Sequence, residues 1–197
     1  MAATVFHVKH SAKLQTYADL LRKWQRSINL VGRSTLDDLE RRHFDDSLQI
    51  IPLLPPDTRT LVDLGSGAGF PGLVIAAERP DIAVTLVESD QRKAAFLMEV
   101  ARAIAPNATV KPVRVEALPP FPVDVVTARA LAPLPKLLAW AAPFATDPAI
   151  CLFHKGANVD SELTEAARDW MMDIQRVPSK TEQNGSILRI SRLRPRA

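Results

Sequence analysis

The 197-residue chain holds a single cysteine. With no second thiol there is no internal disulfide, and such usage fits a reducing compartment. That residue, Cys151, lies in the apolar run AICLF, where a thiol is expected to be buried and inert rather than nucleophilic. No stretch approaches the roughly 18 uninterrupted apolar residues of a membrane span. The opening residues, MAATVFHVKHSAK, lack a long apolar run, so no signal peptide and no membrane association are expected, and a cytoplasmic location follows. Internal repeats and low-complexity tracts are missing too. Glycine is sparse: there are seven, and four of them fall within residues 65–72 of LVDLGSGAGFPG.

What is present is ordinary for a globular domain: 47% apolar and 24% charged residues, enough chain to bury a real core. The net charge is only +3, but it is segregated. Residues 1–33 carry six Lys/Arg against one acid, Asp19; residues 174–197 carry six against one, Glu182; residues 34–173 carry 13 basic and 20 acidic side chains. Basic ends around an acidic centre suit a polyanionic partner such as nucleic acid, with a solubilising surface as the equal alternative.

The N-terminal third has helical periodicity. In YADLLRKWQRSINLV, Tyr17, Leu20, Leu21, Trp24, Ile28 and Val31 form one apolar stripe. A second helix is predicted over 34–51, capped by Ser34 or Thr35, and the prolines of IPLLPPD break it. From residue 60, short apolar runs alternate with helical stretches. Strands are predicted at TLVDLG, AVTLVES, TVKPVRV, VDVVTARA, AICLFHKG, IQRVPS and SILRISRL; helices at GLVIAAER, QRKAAFLMEVARAI, PKLLAWAAPF and DSELTEAARDWMM. This alternation is an α/β pattern: a mainly parallel seven-stranded sheet with helices on both faces. The last two strands, joined by KTEQNG, should pair antiparallel. The division expected is a helical cap over 1–55 and a Rossmann-like domain over 56–197, in one compact unit.

The glycine cluster follows the first strand, where ligands bind in open α/β sheets. Glycine there can take positive φ and let a ligand approach the backbone, and Pro71 suits the first helical turn. Two cofactor classes fit. Gly67, Gly69 and Gly72 match the dinucleotide pattern G-x-G-x-x-G, which would make the chain an NAD-dependent oxidoreductase. Counted from the strand, however, Asp63-Leu64-Gly65-x-Gly67-x-Gly69 has the spacing used by methyltransferases for S-adenosylmethionine, and Glu88 ends the second strand where a carboxylate would take ribose hydroxyls. No chain remains for the separate substrate domain that a dehydrogenase usually carries. A third reading is a non-catalytic RNA-binding scaffold.

LVDLGSGAGFPGLVIA, with INLVGRS, RRHFDDSL, VESDQRKAAFL, RVEAL, ARA and HKG, resembles the bacterial small-subunit (16S) ribosomal RNA guanine-N7 methyltransferases, the glucose-inhibited division protein B family. The resemblance covers most of the chain and implies the class I S-adenosylmethionine-dependent methyltransferase fold, that cofactor, and small-subunit ribosomal RNA as partner. One departure is Ala128, where the family more often has Ser. Carried over residue by residue, it implies that Gly65 and Phe70 hold the methionine and ribose side, that Gly67 and Gly69 complete the loop, and that Glu88 binds ribose. Val115 and Glu116 would flank adenine, and Arg129 would line the boundary between cofactor and substrate.

Guanine N7 carries a lone pair and no proton, so such a transfer needs alignment rather than a general base. ARALAPLP stands where an adenine-N6 enzyme would carry Asn-Pro-Pro-Tyr. Arg129, at a strand end, is the first catalytic candidate, able to hold a phosphate or the cofactor carboxylate or to donate to guanine O6. His43, Asp46 and Ser47 share a helix face; a helix-face network or cap is the residue-level reading, while the resemblance gives His43 a part in closing the site. Such a set makes a poor metal site, and none is expected. Arg41, Arg42, Arg92, Lys93 and Lys155 are candidate RNA contacts, and the basic termini are expected to grip RNA near the pocket. Trp24, Trp140 and Trp170 read as packing residues. A monomer is expected.

Overall fold

The structure, a computed structural model, describes residues 11–196. The reading of residues 1–13 as lacking a leader falls almost wholly outside that range. Helix α1 (Ala12–Gln25) starts at Ser11, whose hydroxyl accepts from the Leu14 N–H, and buries Leu14, Tyr17, Ala18 and Leu21. The predicted apolar stripe continues to Val31 but the helix does not. Gln25 Oε1 accepts from the N–H groups of Leu30 and Val31, both at 3.0 Å, and pulls the chain out of helical register. The helix expected over 34–51 is fragmented into a 3₁₀ turn (Arg33–Thr35), a π-helical turn (Glu40–Asp45), one α-turn, α2 (Asp46–Leu48), and a further 3₁₀ turn (Ile51–Leu53).

The sheet follows as β1 (Thr60–Leu64), α3 (Gly72–Glu78), β2 (Ala83–Val87), α4 (Gln91–Ile104), β3 (Ala108–Lys111), β4 (Val125–Arg129), α5 (Leu134–Ala141), β5 (Ile150–Lys155), α6 (Val159–Ala166), β6 (Trp170–Pro178) and β7 (Ser186–Pro195). Strand order is β3-β2-β1-β4-β5-β7-β6, with the first five parallel and β7 antiparallel to both of its neighbours, of which the β6 pairing is the one the short connection predicted. Side chains alternate across the sheet. Leu61, Val84 and Val125 enter a core shared with α1, α3 and α4, while Val62, Leu64 and Val126 enter a second core under α5 and α6. The helical cap therefore shares its core with the sheet.

Two element ends differ from expectation. β3 stops at Lys111 because Pro112 has no N–H to continue the ladder, and Val115 falls in a 3₁₀ turn (Val115–Ala117). The helix predicted over 160–172 ends at Ala166; Trp170 and Met172 pack on the second core from β6, so a period of two replaces helical spacing. Cys151 is fully buried, and burial pushes its thiol far above its usual range. Among the described residues, no helix is long and apolar enough to cross a membrane, and no group of three or more His, Cys, Asp or Glu could hold a metal.

Candidate functional site

A crevice of about 790 Å³ opens at the carboxyl ends of the parallel strands, where the chain reverses direction on either side of β1. Its floor is the loop leaving β1. Gly65, Gly67 and Gly69 all have positive φ, at 63°, 57° and 94°. Gly67 lines the crevice, and a Cβ placed on it would meet nothing nearer than the Gly65 carbonyl at 3.8 Å. Gly69 does not line it. A Cβ there would strike the Tyr17 hydroxyl and approach Leu73 Cδ1 to 2.7 Å, and that same hydroxyl donates to the Ala68 carbonyl. Gly69 is thus needed for docking α1 on the underside of the loop, which corrects its assignment to the ligand face. Gly72 is likewise a packing residue: a Cβ would meet Leu86 Cδ2 at 2.5 Å and Asp63 Cβ at 2.7 Å.

Glu88, at the end of β2, is gripped by backbone. Its Oε2 accepts from the Gly67 N–H (2.8 Å) and its Oε1 from the Asp90 N–H (2.7 Å). Each carboxylate oxygen has a second acceptor site, so a fixed pair of acceptors faces the crevice. Val115 and Glu116 line the adjoining wall from their 3₁₀ turn. Beneath the loop, Asp63 sits fully buried in β1 and accepts from the Thr127 hydroxyl on β4 (2.7 Å). Burial pushes its carboxyl up to about 6, against the pull of the Thr127 and Ser66 hydroxyls. An acid inside the apolar run TLVDL was the signal for this residue, and sequence reasoning used it only to count spacing.

The opposite wall is built from the cap. The His43 ring stacks on Phe70 at 4.9 Å between centroids, and the Arg129 guanidinium lies 4.9 Å from the centre of the Phe70 ring. Arg129 donates to His43 Nδ1 (2.8 Å), Asp46 Oδ2 (3.1 Å) and the Arg42 carbonyl (3.3 Å). Because Arg129 has no acceptor to offer, His43 Nδ1 must accept; its proton is then on Nε2, directed at the Thr35 hydroxyl (2.9 Å). Burial, followed by the Arg129 charge, lowers the His43 pKa to about 4. Both ring nitrogens are engaged, so the imidazole orients Arg129 and is not free to take a proton, contrary to a direct catalytic role.

Asp46 is the hub. Its Oδ1 accepts from Thr181 Oγ1 (2.5 Å) and Gln49 Nε2 (2.8 Å), and its backbone carbonyl accepts from His154 Nε2 (2.8 Å). Burial opposes ionisation of Asp46, but the facing His154, Thr181 and Arg129 groups outweigh it and hold its carboxyl below the usual range. Thr181 belongs to the β6–β7 loop, 135 residues away in sequence, and had no local signal. Ser47 turns inward instead and donates to the His43 carbonyl (2.6 Å).

The candidate RNA contacts separate. Arg41 is tied to Asp38 and to the Thr181 carbonyl (2.9 Å) and does not line the crevice. Arg42 lines it but pairs with Glu182 at 3.0 Å. Lys155 is buried against Glu162 and the Ala132 carbonyl. Arg92 lies outside, 4.0 Å from Asp90, which also caps α4 and so offsets the cations at that helix start. Lys93 lines the crevice. Nor are the basic ends a free polycation: Lys23 pairs with Glu99, Arg22 with Glu40, Arg176 with Asp160 and Arg192 with Asp173. Much of the charge segregation in sequence is ion pairing in space.

A family model described as GidB, rRNA small subunit methyltransferase G, matches residues 10–188. The chain is 54% identical over 182 residues to the ribosomal RNA small subunit methyltransferase G of Rhodospirillum rubrum, covering 92% of this chain and 90% of that one. It is 47% identical over 179 residues to the protein of the same name from Gluconobacter oxydans, covering 91% and 92%. Among solved structures, it is similar to a putative O-methyltransferase from Klebsiella pneumoniae, with a TM-score of 0.61, 12% identity and coverage of 94% and 92%. It is also similar to a point mutant of MtNAS in complex with S-adenosylmethionine, with a TM-score of 0.61, 14% identity and coverage of 91% and 74%. At such low identity these two establish the fold alone.

Proposed function

The chain belongs to the GidB family of ribosomal RNA small subunit methyltransferases, and from that premise we propose that its crevice directs the methyl group of S-adenosylmethionine to N7 of a guanine. The chain is an S-adenosylmethionine-dependent methyltransferase of small-subunit ribosomal RNA. The rival dinucleotide pattern is not favoured, since Gly69, the glycine that would let backbone approach a pyrophosphate, is used for packing beneath the loop.

One observation carries the finer reading: the buried carboxylates lining the crevice are each held by donors, and each imidazole nitrogen there is either hydrogen-bonded or shut away from solvent. Asp46 takes Thr181, Gln49 and Arg129; Glu88 takes two backbone N–H groups; Glu162 takes the Leu134 N–H (2.6 Å) and Lys155. His43 uses both nitrogens; His154 donates from Nε2 to the Asp46 backbone carbonyl, and its Nδ1 has no hydrogen-bond partner but is buried out of contact with solvent. None of these buried groups is poised as a base. An exocyclic amine must shed a proton on methylation; guanine N7 has none to shed, so alignment suffices.

Gly67 and Glu88 would hold the backbone-facing side of the cofactor and its ribose, with Val115 and Glu116 beside the adenine and Gly65 and Phe70 toward the methionine. When bound, S-adenosylmethionine supplies an activated methyl on a sulfonium. Arg129 has five N–H donors, of which three are used within the protein. The remaining two would orient guanine O6 or the cofactor carboxylate, already locked in direction by His43 and Asp46. His43 is therefore a positioning residue. We place the enzyme in the cytoplasm as a monomer.

The test is methyl transfer from labelled cofactor to purified small subunits and to their naked RNA, with the modified base mapped, alongside calorimetry with S-adenosylhomocysteine and NADH. A single methylated guanine N7 and saturable S-adenosylhomocysteine binding are expected. Methylation at any exocyclic amine would refute the base-free reading.

A further inference from the structure

Six basic side chains line the crevice: Arg42, Lys93, Arg114, Arg129, Lys136 and Lys155. Three are neutralised in place, Arg42 by Glu182 (3.0 Å), Arg129 by Asp46 (3.1 Å) and Lys155 by Glu162. For Lys93, Arg114 and Lys136, no carboxylate lies within ion-pair distance among the described residues.

All three line the same crevice from segments that follow parallel strands. Lys93 lies in the first turn of α4, Arg114 precedes the Val115–Ala117 turn, and Lys136 lies in the first turn of α5. Arg114 and Lys136 are exposed and Lys93 is half-buried. Lys136 is steadied by an aromatic face rather than an acid, with Nζ 4.7 Å from the centre of the Trp140 ring. That arrangement orients the ammonium and leaves its N–H donors unclaimed by any carboxylate.

The last three arginines are elsewhere. Ser186 of β7 pairs with Lys155 at the crevice end of the sheet, and Ile190 pairs with Cys151 further back. Arg192, Arg194 and Arg196 continue away from the crevice, about 20–30 Å beyond Ser186 at about 3.3 Å per residue. Arg192 is also paired with Asp173. They stand at the wrong end of the strands to hold a target nucleotide.

We propose that Lys93, Arg114 and Lys136 form the phosphate-gripping rim, engaging the RNA backbone that flanks the target base. This rests on the RNA methyltransferase reading above and departs from the expectation that the chain ends do the gripping. Lys and Arg bound to phosphate release counterions, so each lost contact lowers the steepness of the salt dependence by about 0.7 on single-stranded RNA.

The experiment compares RNA affinity over a salt series for the parent, for K93A/R114A/K136A and for R192A/R194A/R196A, using a small-subunit RNA fragment that the parent methylates. Calorimetry with S-adenosylhomocysteine and thermal melting run in parallel. The rim variant should lose about 2 from the log–log salt slope while binding S-adenosylhomocysteine and melting like the parent; the C-terminal variant should keep the parental slope. A parental slope in the rim variant, with normal methylation by the parent, overturns the rim alone. Loss of slope in the C-terminal variant instead also overturns it. A parent that neither methylates nor shows salt-dependent binding to any small-subunit RNA overturns the rim together with the reading beneath it.

Discussion

Gly67 and Gly69 stand two residues apart in one loop, and substituting each with alanine should break different things. At Gly69 the backbone has φ of 94°, and an added Cβ strikes the Tyr17 hydroxyl and comes within 2.7 Å of Leu73 Cδ1. A left-handed conformation costs a non-glycine residue about 1–2 kcal/mol, and overpacking costs about 1–3 kcal/mol more. Displacing Tyr17 also sacrifices its bond to Ala68, worth about 1 kcal/mol. The total, about 3–6 kcal/mol, is a large share of the 5–15 kcal/mol that typically holds a domain together. At about 2–4 °C per kcal/mol for a chain of this size, Gly69→Ala should melt at least about 6 °C lower. Gly67→Ala has comparable backbone strain at φ of 57° but no collision, so its melting point should move by a few degrees only. Its methyl would project into the crevice, and S-adenosylhomocysteine affinity should fall at least about tenfold. Differential scanning fluorimetry and calorimetry on both variants decide the matter. A Gly69→Ala protein melting within about 2 °C of the parent, or a Gly67→Ala protein with parental affinity, refutes the division of labour.

Arg129→Lys keeps the charge but not the fork that spans His43 and Asp46. With charged hydrogen bonds worth about 1.5–3 kcal/mol each, the melting point should fall by at least about 3 °C and kcat/KM at least about tenfold, measured by scanning fluorimetry and as initial methyl-transfer rates. Thr181→Val removes the hydroxyl that holds Asp46 Oδ1 at 2.5 Å; kcat should fall several-fold, Thr181→Ser should restore it, and steady-state kinetics on the pair checks this. His43 is held neutral, with its pKa lowered to about 4. The unfolded chain binds the extra proton between about pH 6.5 and 4, so His43 makes stability rise with pH across that window and fall on acidification. Discounted for the ring's partial solvation, the effect is about 1–2 kcal/mol. Asp63, pushed up to about 6, acts oppositely: its contribution is lost as pH rises through 6. Melting curves from pH 7.5 to about 4.5 should therefore show a shallower acid limb in His43→Asn than in the parent.

The sheet was legible because its strands are short apolar runs bounded by helices and glycine, and the cofactor loop because its glycines sit immediately after a strand. Gly65, Gly67, Phe70, Glu88, Val115, Glu116 and Arg129 do come together around one crevice. The cap was less legible. Apolar spacing at Ile28 and Val31 reports burial, and burial was read as helix, whereas the Gln25 amide diverts the chain. The π-helical turn at Glu40–Asp45 has no propensity signature. The partners of Arg41 and Arg42, two candidate RNA contacts, were not legible because Thr181 and Glu182 reach them from the far end of the chain, and single-sequence patterns do not carry such partners. Trp170 was misplaced because its apolar neighbours fit two periods equally.

The fastening of the cap by the β6–β7 loop, through Thr181, Glu182 and the Lys180 N–H to Gln49, sets an order of assembly. That loop emerges from the synthesising ribosome after the cap and all five parallel strands, so a nascent chain halted before Ser179 can pair those five strands while its arginine wall lacks a brace and β7, which joins β6 to β5, is still missing. The braced arginine wall thus waits on this late loop, and a shortened product of this polypeptide would present a pocket with one side unsecured.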